Sequence, residues 1–215
     1  MAPPQHLDDE ELLSRLRAGD EVAFGALVDR YHAGLMRVAR TYVSTKEAAE
    51  DVVQETFLGV IKGIDRFEGR SSVKTWMFRI LVNRAQTKGE REGRSRPFSD
   101  LSDDGSATVD PDRFEKGGRW AGTWSSPPSH DTMPEARVLA DELGARLREV
   151  IDSLPEVQRT VLELRDVQGL SAAEVCELLD ITEANQRVLL HRARGRARAL
   201  LEYYVTERDT RGDRP

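Results

Sequence analysis

Four polar side chains line one narrow face of the helix predicted after Ser72. They are Thr75, Arg79, Asn83 and Gln86, which recur at helical spacing. A guanidinium fork and side-chain amides are the groups that bond to the edges of nucleic-acid bases. Trp76 lies at the border of this face, where its ring could stack on a base or pack in the core. The pattern predicts a helix that contacts nucleic acid.

The segment before this helix, FEGRSS at residues 67–72, has the composition of a bend followed by a helix start. Gly69 suits the bend, and Ser71 or Ser72 can cap the helix. A loop of this kind could hold an unstacked base, which is our hypothesis for its role.

The same helix is apolar on one side and basic toward its end. Its apolar positions have the spacing of a core stripe: Val73, Trp76, Met77, Ile80 and Leu81. Beyond the stripe, Arg84, Lys88 and Arg91 continue its line and can meet phosphates.

A second stretch, residues 152–201, has the punctuation of two helices joined by a short turn. Pro155 opens a helix, Gly169 can close it, and Ser171 with Glu174 matches a capping box for the next helix. LLDIT then forms the turn, and the nearby core positions are Val175, Leu178, Leu179 and Ile181. This order predicts a helix-turn-helix, whose second helix enters the major groove of DNA.

The predicted second helix is basic along one line. That line runs through Arg187, His191, Arg194 and Arg198, and an apolar line runs through Leu190, Ala193 and Ala197. Residues 183–198 contain five arginines and only one acid, so ion pairs within the helix offset little of the charge. A solvated, arginine-rich helix is the alternative, but the pattern favours contact with DNA.

A third helix is acidic on one side. Glu47, Glu50, Asp51, Gln54 and Glu55 gather opposite Val53, Phe57 and Val60. A solvated face explains these acids, and so does docking to a basic partner. A di-iron bundle does not, because it needs Glu-x-x-His pairs that this helix lacks.

Two helical domains must position these helices. Hydrophobic periodicity and breakers divide the chain into a first domain at residues 1–91, an acidic Gly/Ser/Pro-rich linker at 92–134, a second domain at 135–206 and a tail at 207–215. No alternating strand pattern competes, so the predicted fold class is all-α, with a helical bundle and a helix-turn-helix domain joined by a flexible linker.

The charge of the 215-residue chain is unevenly distributed around a formal net value of -6. Lys and Arg outnumber Asp and Glu by nine to three over residues 66–98, and acids outnumber bases by eight to three over residues 99–135. Because phosphate binding depends on the local surface, the acidic total does not exclude DNA as a partner.

The sequence gives little support for a metal site or a membrane-spanning segment. One cysteine and four scattered histidines favour neither a disulfide framework nor a metal site, and no cofactor is expected. No apolar run approaches a membrane span, and the first twenty residues lack the regions of a signal peptide. We therefore expect a cytoplasmic protein without direct membrane insertion.

Taken together, these motifs resemble those of bacterial RNA polymerase sigma factors of the extracytoplasmic-function group, group IV of the sigma-70 family. In the first domain, AEDVVQETFLGV and FEGRSSVKTWMFRILVNRAQ are similar to the family's Asp-Val-Val-Gln-Glu-x-Phe and Thr-Trp-Leu-x-Arg-Ile-x-x-Asn patterns. In the second, LPEVQRTVLELRDVQGLSAAEV and LLHRARGRAR carry the likeness. The resemblance covers most of the chain and implies sigma domain 2 followed by sigma domain 4.

For the first domain, the resemblance implies two binding surfaces. The acidic helix would dock on the clamp helices of the largest subunit of core RNA polymerase through Asp51, Gln54, Glu55 and Phe57. The minus-10 promoter element would be read and melted by the loop and helix that follow, with a flipped base held in the loop. The residues concerned are Glu68, Gly69, Arg70, Ser71, Ser72, Thr75, Trp76, Arg79, Asn83, Arg84, Gln86 and Lys88.

For the second domain, the resemblance implies recognition of the minus-35 element. Arg187, Val188, His191 and Arg192 would face the bases, and Asn185 and Arg194 would lie nearer the DNA backbone. Where the family commonly has Gly-Thr-Val-Lys-Ser-Arg, this chain reads ANQRVL at residues 184–189. Val188 can touch a thymine methyl group but cannot bond to a base edge, so the minus-35 sequence is expected to differ from the usual one.

The linker contains three aromatic residues, Phe114, Trp120 and Trp124. A flexible tether with incidental rings is one interpretation. The resemblance offers another, in which the acidic segment threads the polymerase channel later taken by RNA and the aromatic residues anchor it.

Three classes of function follow from these patterns. The first is a sigma factor, which catalyses no bond change, binds core RNA polymerase and promoter DNA, and is commonly held by a cognate anti-sigma factor. The second is a stand-alone regulator that binds DNA through the helix-turn-helix, but that class leaves the basic, aromatic helix of the first domain unexplained. The third is an enzyme, for which no phosphate loop, metal spacing or nucleophile motif is present.

Overall fold

The computed structural model describes residues 8–93 and 146–212, with side chains described as far as residue 201. Within these ranges every regular element is a helix, which confirms the predicted all-α class. The predicted linker anchors Phe114, Trp120 and Trp124 lie outside the described residues, as does most of the predicted linker.

The helices follow one another in this order: α1 (Asp9–Arg17), α2 (Glu21–Ala39), α3 (Lys46–Gly63), a 3-10 turn (Ile64–Arg66), α4 (Val73–Arg91), α5 (described over residues 146–152), α6 (Glu156–Leu162), a π-helical turn (Glu163–Val167), α7 (Ala172–Leu179) and α8 (Glu183–Gly212). They form two compact units. The first unit comprises residues 8–93 with 163–183, and the second comprises residues 146–162 with 184–212. The domain boundaries drawn from the sequence stay predictions.

Side-chain caps begin the helices of the first unit. The carboxylates of Asp8 and Asp20 accept hydrogen bonds from backbone N–H groups in the first turns of α1 and α2. Thr45 caps α3 in the same way, and Ser72 caps α4 by accepting from the backbone N–H of Thr75 at 3.0 Å. Each cap satisfies a donor that the helix itself leaves without a partner, so the polar residues fix where the helices start.

The core of the first unit is built where α4 packs against α3 and α2. Its fully buried side chains include Leu27, Leu35, Val52, Val53, Met77, Phe78 and Leu81. Because α4 has neighbours on two sides, its buried surface is wider than the predicted stripe: Phe78 and Val82 are buried with it, whereas Trp76 and Ile80 are only half-buried. Ile61 directly follows the buried Val60 on α3, but half of its side chain is exposed.

The second unit has an apolar core of its own. Buried side chains come from α5, α6 and α8, among them Val150, Ile151, Val157, Val161, Leu190, Ala193 and Ala197. Gln158 on α6 accepts a hydrogen bond from Arg196 on α8 at 3.1 Å, so a polar contact accompanies the apolar packing. The apolar line predicted on α8 through Leu190, Ala193 and Ala197 is therefore confirmed.

The local structure around α7 matches the helix start and stop signals in the sequence. Ser171 and Glu174 form the predicted capping box, in which each side chain bonds to the other's backbone N–H. Gly169 has a φ of +69°, a left-handed conformation that glycine adopts without strain, and it lies between the π-helical turn and α7. After α7, Asp180 takes a left-handed conformation at φ 52° and α8 begins at Glu183, as the predicted turn requires.

The packing of α4 predicts an unequal response to two leucine truncations. Leu81→Ala removes a side chain that is 0% exposed and should lower the free energy of unfolding by about 2–5 kcal/mol. Leu58→Ala, at a side chain 53% exposed on α3, should change it by no more than about 1 kcal/mol. Urea unfolding followed by circular dichroism measures both, and equal losses would contradict the assigned core.

Candidate nucleic-acid interface

A cleft of about 530 Å³ opens beside the first turns of α4. Five residues predicted to contact the minus-10 element line it: Glu68, Arg70, Ser71, Trp76 and Arg79. The loop between the 3-10 turn and α4 forms one side of the cleft, and Gly69 bends this loop at a φ of +71°. The structure thus brings together residues that the sequence placed in a loop and on a helix.

An aromatic pair forms a wall of this cleft. The rings of Phe67 and Trp76 stack with centroids 4.6 Å apart and planes inclined by 29°. Gly63 permits this position, because a Cβ atom there would lie 3.0 Å from the indole ring of Trp76. Trp76 is half-buried, so it packs against the core with one part and presents another part to the cleft. The indole ring therefore lies at the edge of the core rather than inside it.

Arg17 holds the loop in place from α1. Its guanidinium donates hydrogen bonds to the backbone carbonyl of Phe67 at 2.7 Å and to that of Ile64 at 3.3 Å. Phe67 lies outside any helix, so Arg17 supplies a donor to its carbonyl and at the same time fixes the path of the loop. No signal in the sequence marks this role, because Arg17 is 50 residues away from Phe67.

The charges at the cleft are mostly basic and mostly paired. Arg70 pairs with Glu68 at 2.9 Å, and Arg79 pairs with Glu177 at 2.5 Å. Arg66 also lines the cleft and was not among the predicted site residues, although it directly precedes the loop and belongs to the basic stretch 66–98. Basic side chains around a concave surface suit a phosphate-bearing ligand.

The distal half of α4 carries the remaining predicted residues. Asn83 is exposed and Gln86 half-buried on the face that continues from the cleft. Arg84 pairs with Glu55 and Lys88 pairs with Asp51, each at 2.8 Å. These ion pairs join residues that were predicted to bind different partners, because the cations were assigned to DNA and the carboxylates to polymerase.

Thr75 is not on the exposed face where the sequence placed it. Its side chain is only 1% exposed, and its hydroxyl donates a hydrogen bond to the carboxylate of Glu174 on α7. This hydrogen bond is the main reason that the pKa of Glu174 lies below its usual 4.5. Burial is the main reason that the pKa of the neighbouring Lys74 is lowered.

The acidic face of α3 is exposed at Asp51, Gln54 and Glu55. Phe57, predicted with them, is only 7% exposed and packs edge-on against Phe24, with ring centroids 6.1 Å apart. The exposed apolar side chains of this helix are instead Leu58 and Ile61, at 53% and 50%. Neither was predicted as a surface residue, although Leu58 lies outside the apolar stripe that marks the core face.

On α8, Arg187 and His191 are exposed, and Asn185, Arg192 and Arg194 are half-buried. Val188 is 46% exposed, while its neighbour Leu189 is buried. The departure from the family pattern thus has two outcomes, because one apolar side chain joins the core and the other faces outward.

In the ranges the structure describes, no group of His, Cys, Asp and Glu is arranged to hold a metal ion. In those ranges, too, no helix has both the length and the apolar character needed to cross a membrane.

Two protein-family models match the chain. Sigma-70 region 2 matches residues 27–95, and Sigma-70, region 4 matches residues 144–196. The extracytoplasmic-function RNA polymerase sigma-E factor of Escherichia coli K12 is 33% identical over 190 residues, which are 88% of this chain and 92% of that protein. The sigma-E factor of Haemophilus influenzae is 32% identical, over 88% of this chain and 93% of its own.

Two solved structures share the fold. CnrH in complex with the cytosolic domain of CnrY is 22% identical with a TM-score of 0.51, and the match covers 91% of this chain and 97% of that one. The sigma factor RpoE of Bartonella quintana, solved with the anti-sigma factor NepR, is 19% identical with a TM-score of 0.52, and the match covers 83% and 96%.

The lowered pKa of Glu174 predicts a loss of stability in acid. A carboxyl group with a lowered pKa in the folded state contributes stability above its unfolded pKa, near 4.5, and loses it as the pH falls through the folded value. The free energy of unfolding should therefore fall below pH 4.5, and Glu174→Gln, which keeps a capping-box acceptor, should flatten that part of the profile. Urea unfolding at several pH values measures it, and parallel profiles for the two proteins would refute the assignment.

Proposed function

The chain belongs to the extracytoplasmic-function group of sigma-70 RNA polymerase sigma factors, and from that premise we propose which of its surfaces meets each partner. A member of this family directs promoter-specific initiation of transcription as a subunit of RNA polymerase. The observation that carries the proposal is the cleft beside α4, where an aromatic pair and basic side chains stand next to the exposed amide of Asn83. The protein itself is proposed to catalyse no bond change.

The cleft is proposed to hold a base flipped out of the minus-10 element. Removing a base from the duplex costs a few kcal/mol, which a pocket can offset by stacking and hydrogen bonds. Trp76, stacked on Phe67, offers an aromatic surface for stacking, and Ser71 and Glu68 offer polar groups for the base edge. Capturing the base stabilises the melted strand, so recognition and melting become one step.

The exposed face of α4 is proposed to read the neighbouring bases. Arg79 suits a guanine and Asn83 an adenine, because their side chains can bond to two atoms of those bases at once. Arg84 and Lys88, farther along the helix, are placed to contact phosphates. Their present ion pairs with Glu55 and Asp51 are solvent-exposed and therefore weak enough to exchange for DNA.

The outer face of α3 is proposed to dock on the clamp helices of the largest polymerase subunit. Asp51, Gln54 and Glu55 supply polar and acidic contacts, and Leu58 and Ile61 lie one turn apart as an apolar centre. An apolar anchor surrounded by charges is the usual composition of a protein–protein interface. Phe57 is proposed to support this surface from beneath, since its ring is buried.

The minus-35 element is proposed to meet α8. Arg187, Val188, His191 and Arg192 are assigned to base edges, and Asn185 and Arg194 to the DNA backbone. The exposed isopropyl group of Val188 is suited to a thymine methyl group. The cytoplasm is the proposed location, because core polymerase and promoter DNA are there.

An anti-sigma factor is a further proposed partner. One matched structure contains a sigma factor of this fold together with the anti-sigma factor NepR, which supports the proposal for this chain. A protein that covered the outer face of α3 or the exposed face of α4 would keep this chain from polymerase or from promoter DNA.

Reconstitution with core RNA polymerase tests the minus-10 assignment. Arg79→Ala and Asn83→Ala should each weaken promoter opening by roughly 5- to 150-fold, because each removes a base contact. Run-off transcription and permanganate footprinting on genomic promoters measure this. Arg40→Ala, which removes an equal charge at the exposed end of α2, is the matched control and should transcribe like the wild type. Wild-type levels from the Arg79 and Asn83 variants would refute the assignment.

A second experiment tests the polymerase-docking surface. Replacing both Leu58 and Ile61 with alanine should weaken core polymerase binding roughly tenfold or more, because it removes the proposed apolar centre of the interface. Val22→Ala, at an apolar side chain 50% exposed on α2, is the control. Binding is measured by fluorescence anisotropy with labelled protein, and equal affinities for the two variants would place the docking surface elsewhere.

A further inference from the structure

Residues 163–183 of the chain lie against the part of α4 assigned to the minus-10 element. The hydroxyl of Thr75 donates a hydrogen bond to the carboxylate of Glu174, and the guanidinium of Arg79 pairs with Glu177 at 2.5 Å. Both carboxylates belong to α7. The contact therefore involves Arg79, which lines the cleft, and Thr75, which the sequence placed on the same DNA-binding face.

The contacting residues have compatible spacings on the two helices. Thr75 and Arg79 are four residues apart on α4, and Glu174 and Glu177 are three residues apart on α7, so each pair occupies one side of its helix. Glu177 also lines the cleft itself. The Glu177 carboxylate thus lies in the cleft proposed to receive DNA, and the Glu174 carboxylate binds the buried Thr75 beside it.

The same segment is anchored a second time, away from the cleft. The carbonyl of Gln168 accepts a hydrogen bond from Lys74, and the Gln168 side chain is buried against Gly34 of α2. Glu163, whose side chain is 5% exposed, lies 3.4 Å from Arg37, also on α2. The segment is therefore held on two helices rather than by one surface ion pair.

We propose that residues 163–183 occupy the minus-10 surface of α4 in the free protein and must leave it before promoter DNA binds. The inference rests on the function proposed for α4. Arg79 cannot turn its guanidinium fork to a base while it holds Glu177, and the buried hydroxyl of Thr75 is engaged by Glu174. The segment thus acts as an internal competitor of DNA.

The Arg79–Glu177 ion pair is the part of this contact that is weak enough to be exchanged directly for DNA. In the Arg79–Glu177 pair the side chains are 41% and 64% exposed, so water and salt screen their attraction. DNA brings many phosphates, and their neutralisation releases counterions, which one pair of carboxylates cannot match. The apparent affinity of the free chain for DNA is then the intrinsic affinity multiplied by the fraction of molecules in which residues 163–183 have left α4.

Two variants loosen the contact by different means. Glu177→Gln removes the charge that holds Arg79, and its control is Asp180→Asn, which removes an equal charge at an exposed position where the left-handed backbone suits asparagine. Gly34→Ala changes no charge but places a Cβ atom 2.6 Å from Oε1 of Gln168. Its control is Gly25→Ala on the same helix, where a Cβ atom meets nothing within 4 Å.

DNA affinity is measured on the free full-length chain. The probe is a fluorescein-labelled single strand carrying the non-template minus-10 sequence of a promoter mapped by run-off transcription. Glu177→Gln and Gly34→Ala should each bind it roughly two- to five-fold more tightly than their controls, the change expected from one weak contact. With core polymerase, all four variants should initiate as the wild type does, because the contact is already broken there.

A spin label reports the contact without DNA. The nitroxide is attached through Ala173→Cys, at an exposed position of α7, in a Cys176→Ser background. It should broaden the amide NMR signals of the first two turns of α4. Adding Gly34→Ala should reduce the broadening. Absence of broadening would overturn the proposal, and so would broadening accompanied by equal DNA affinities of variants and controls. Failure of the wild-type chain to initiate transcription with core polymerase would instead overturn the proposed function, while the label still decides whether the contact exists.

Discussion

The burial of α4 is the constraint on which the rest of the first unit depends. Val73, Met77 and Leu81 must face α2 and α3, and that requirement leaves a single outward face for Arg79 and Asn83. Apolar packing thus decides which polar groups can reach a partner, although it contributes no recognition itself. Ser72 sets the start of the helix, so the cap and the core together fix the helix in both rotation and position along its axis.

Electrostatics explains how an acidic chain can present the nucleic-acid surface that we propose for α4. The net charge of -6 is distributed so that carboxylates lie beside the arginines and lysines of α4 rather than far from them. These pairs are solvent-exposed and contribute little to stability. Their effect is to lower the positive charge of this surface in the free chain.

Much of the local structure could be predicted from the sequence because its causes are local. The capping box of Ser171, the bend at Gly69 and the apolar line of α8 each depend on residues within a few positions of one another. What escaped prediction depends on contacts far apart in the chain. Thr75 bonds to Glu174, which is 99 residues away, and the cap provided by Glu174 gave no hint of that second contact. Ile61 escaped for a related reason, since periodicity marks apolar residues without showing how far a neighbouring helix covers them.

The pairing of α3 with α4 also makes two binding events interdependent. Asp51 and Glu55 hold Lys88 and Arg84 at 2.8 Å across the two helices. Any basic protein that takes these carboxylates leaves both cations without them, and their attraction for phosphate rises. Any polyanion that takes the cations likewise leaves the carboxylates more attractive to a basic surface. Under the proposed assignment of α3 to polymerase and α4 to DNA, thermodynamic linkage requires the two affinities to increase by the same factor, so the two helices would form a short path of positive cooperativity between a protein and a nucleic acid.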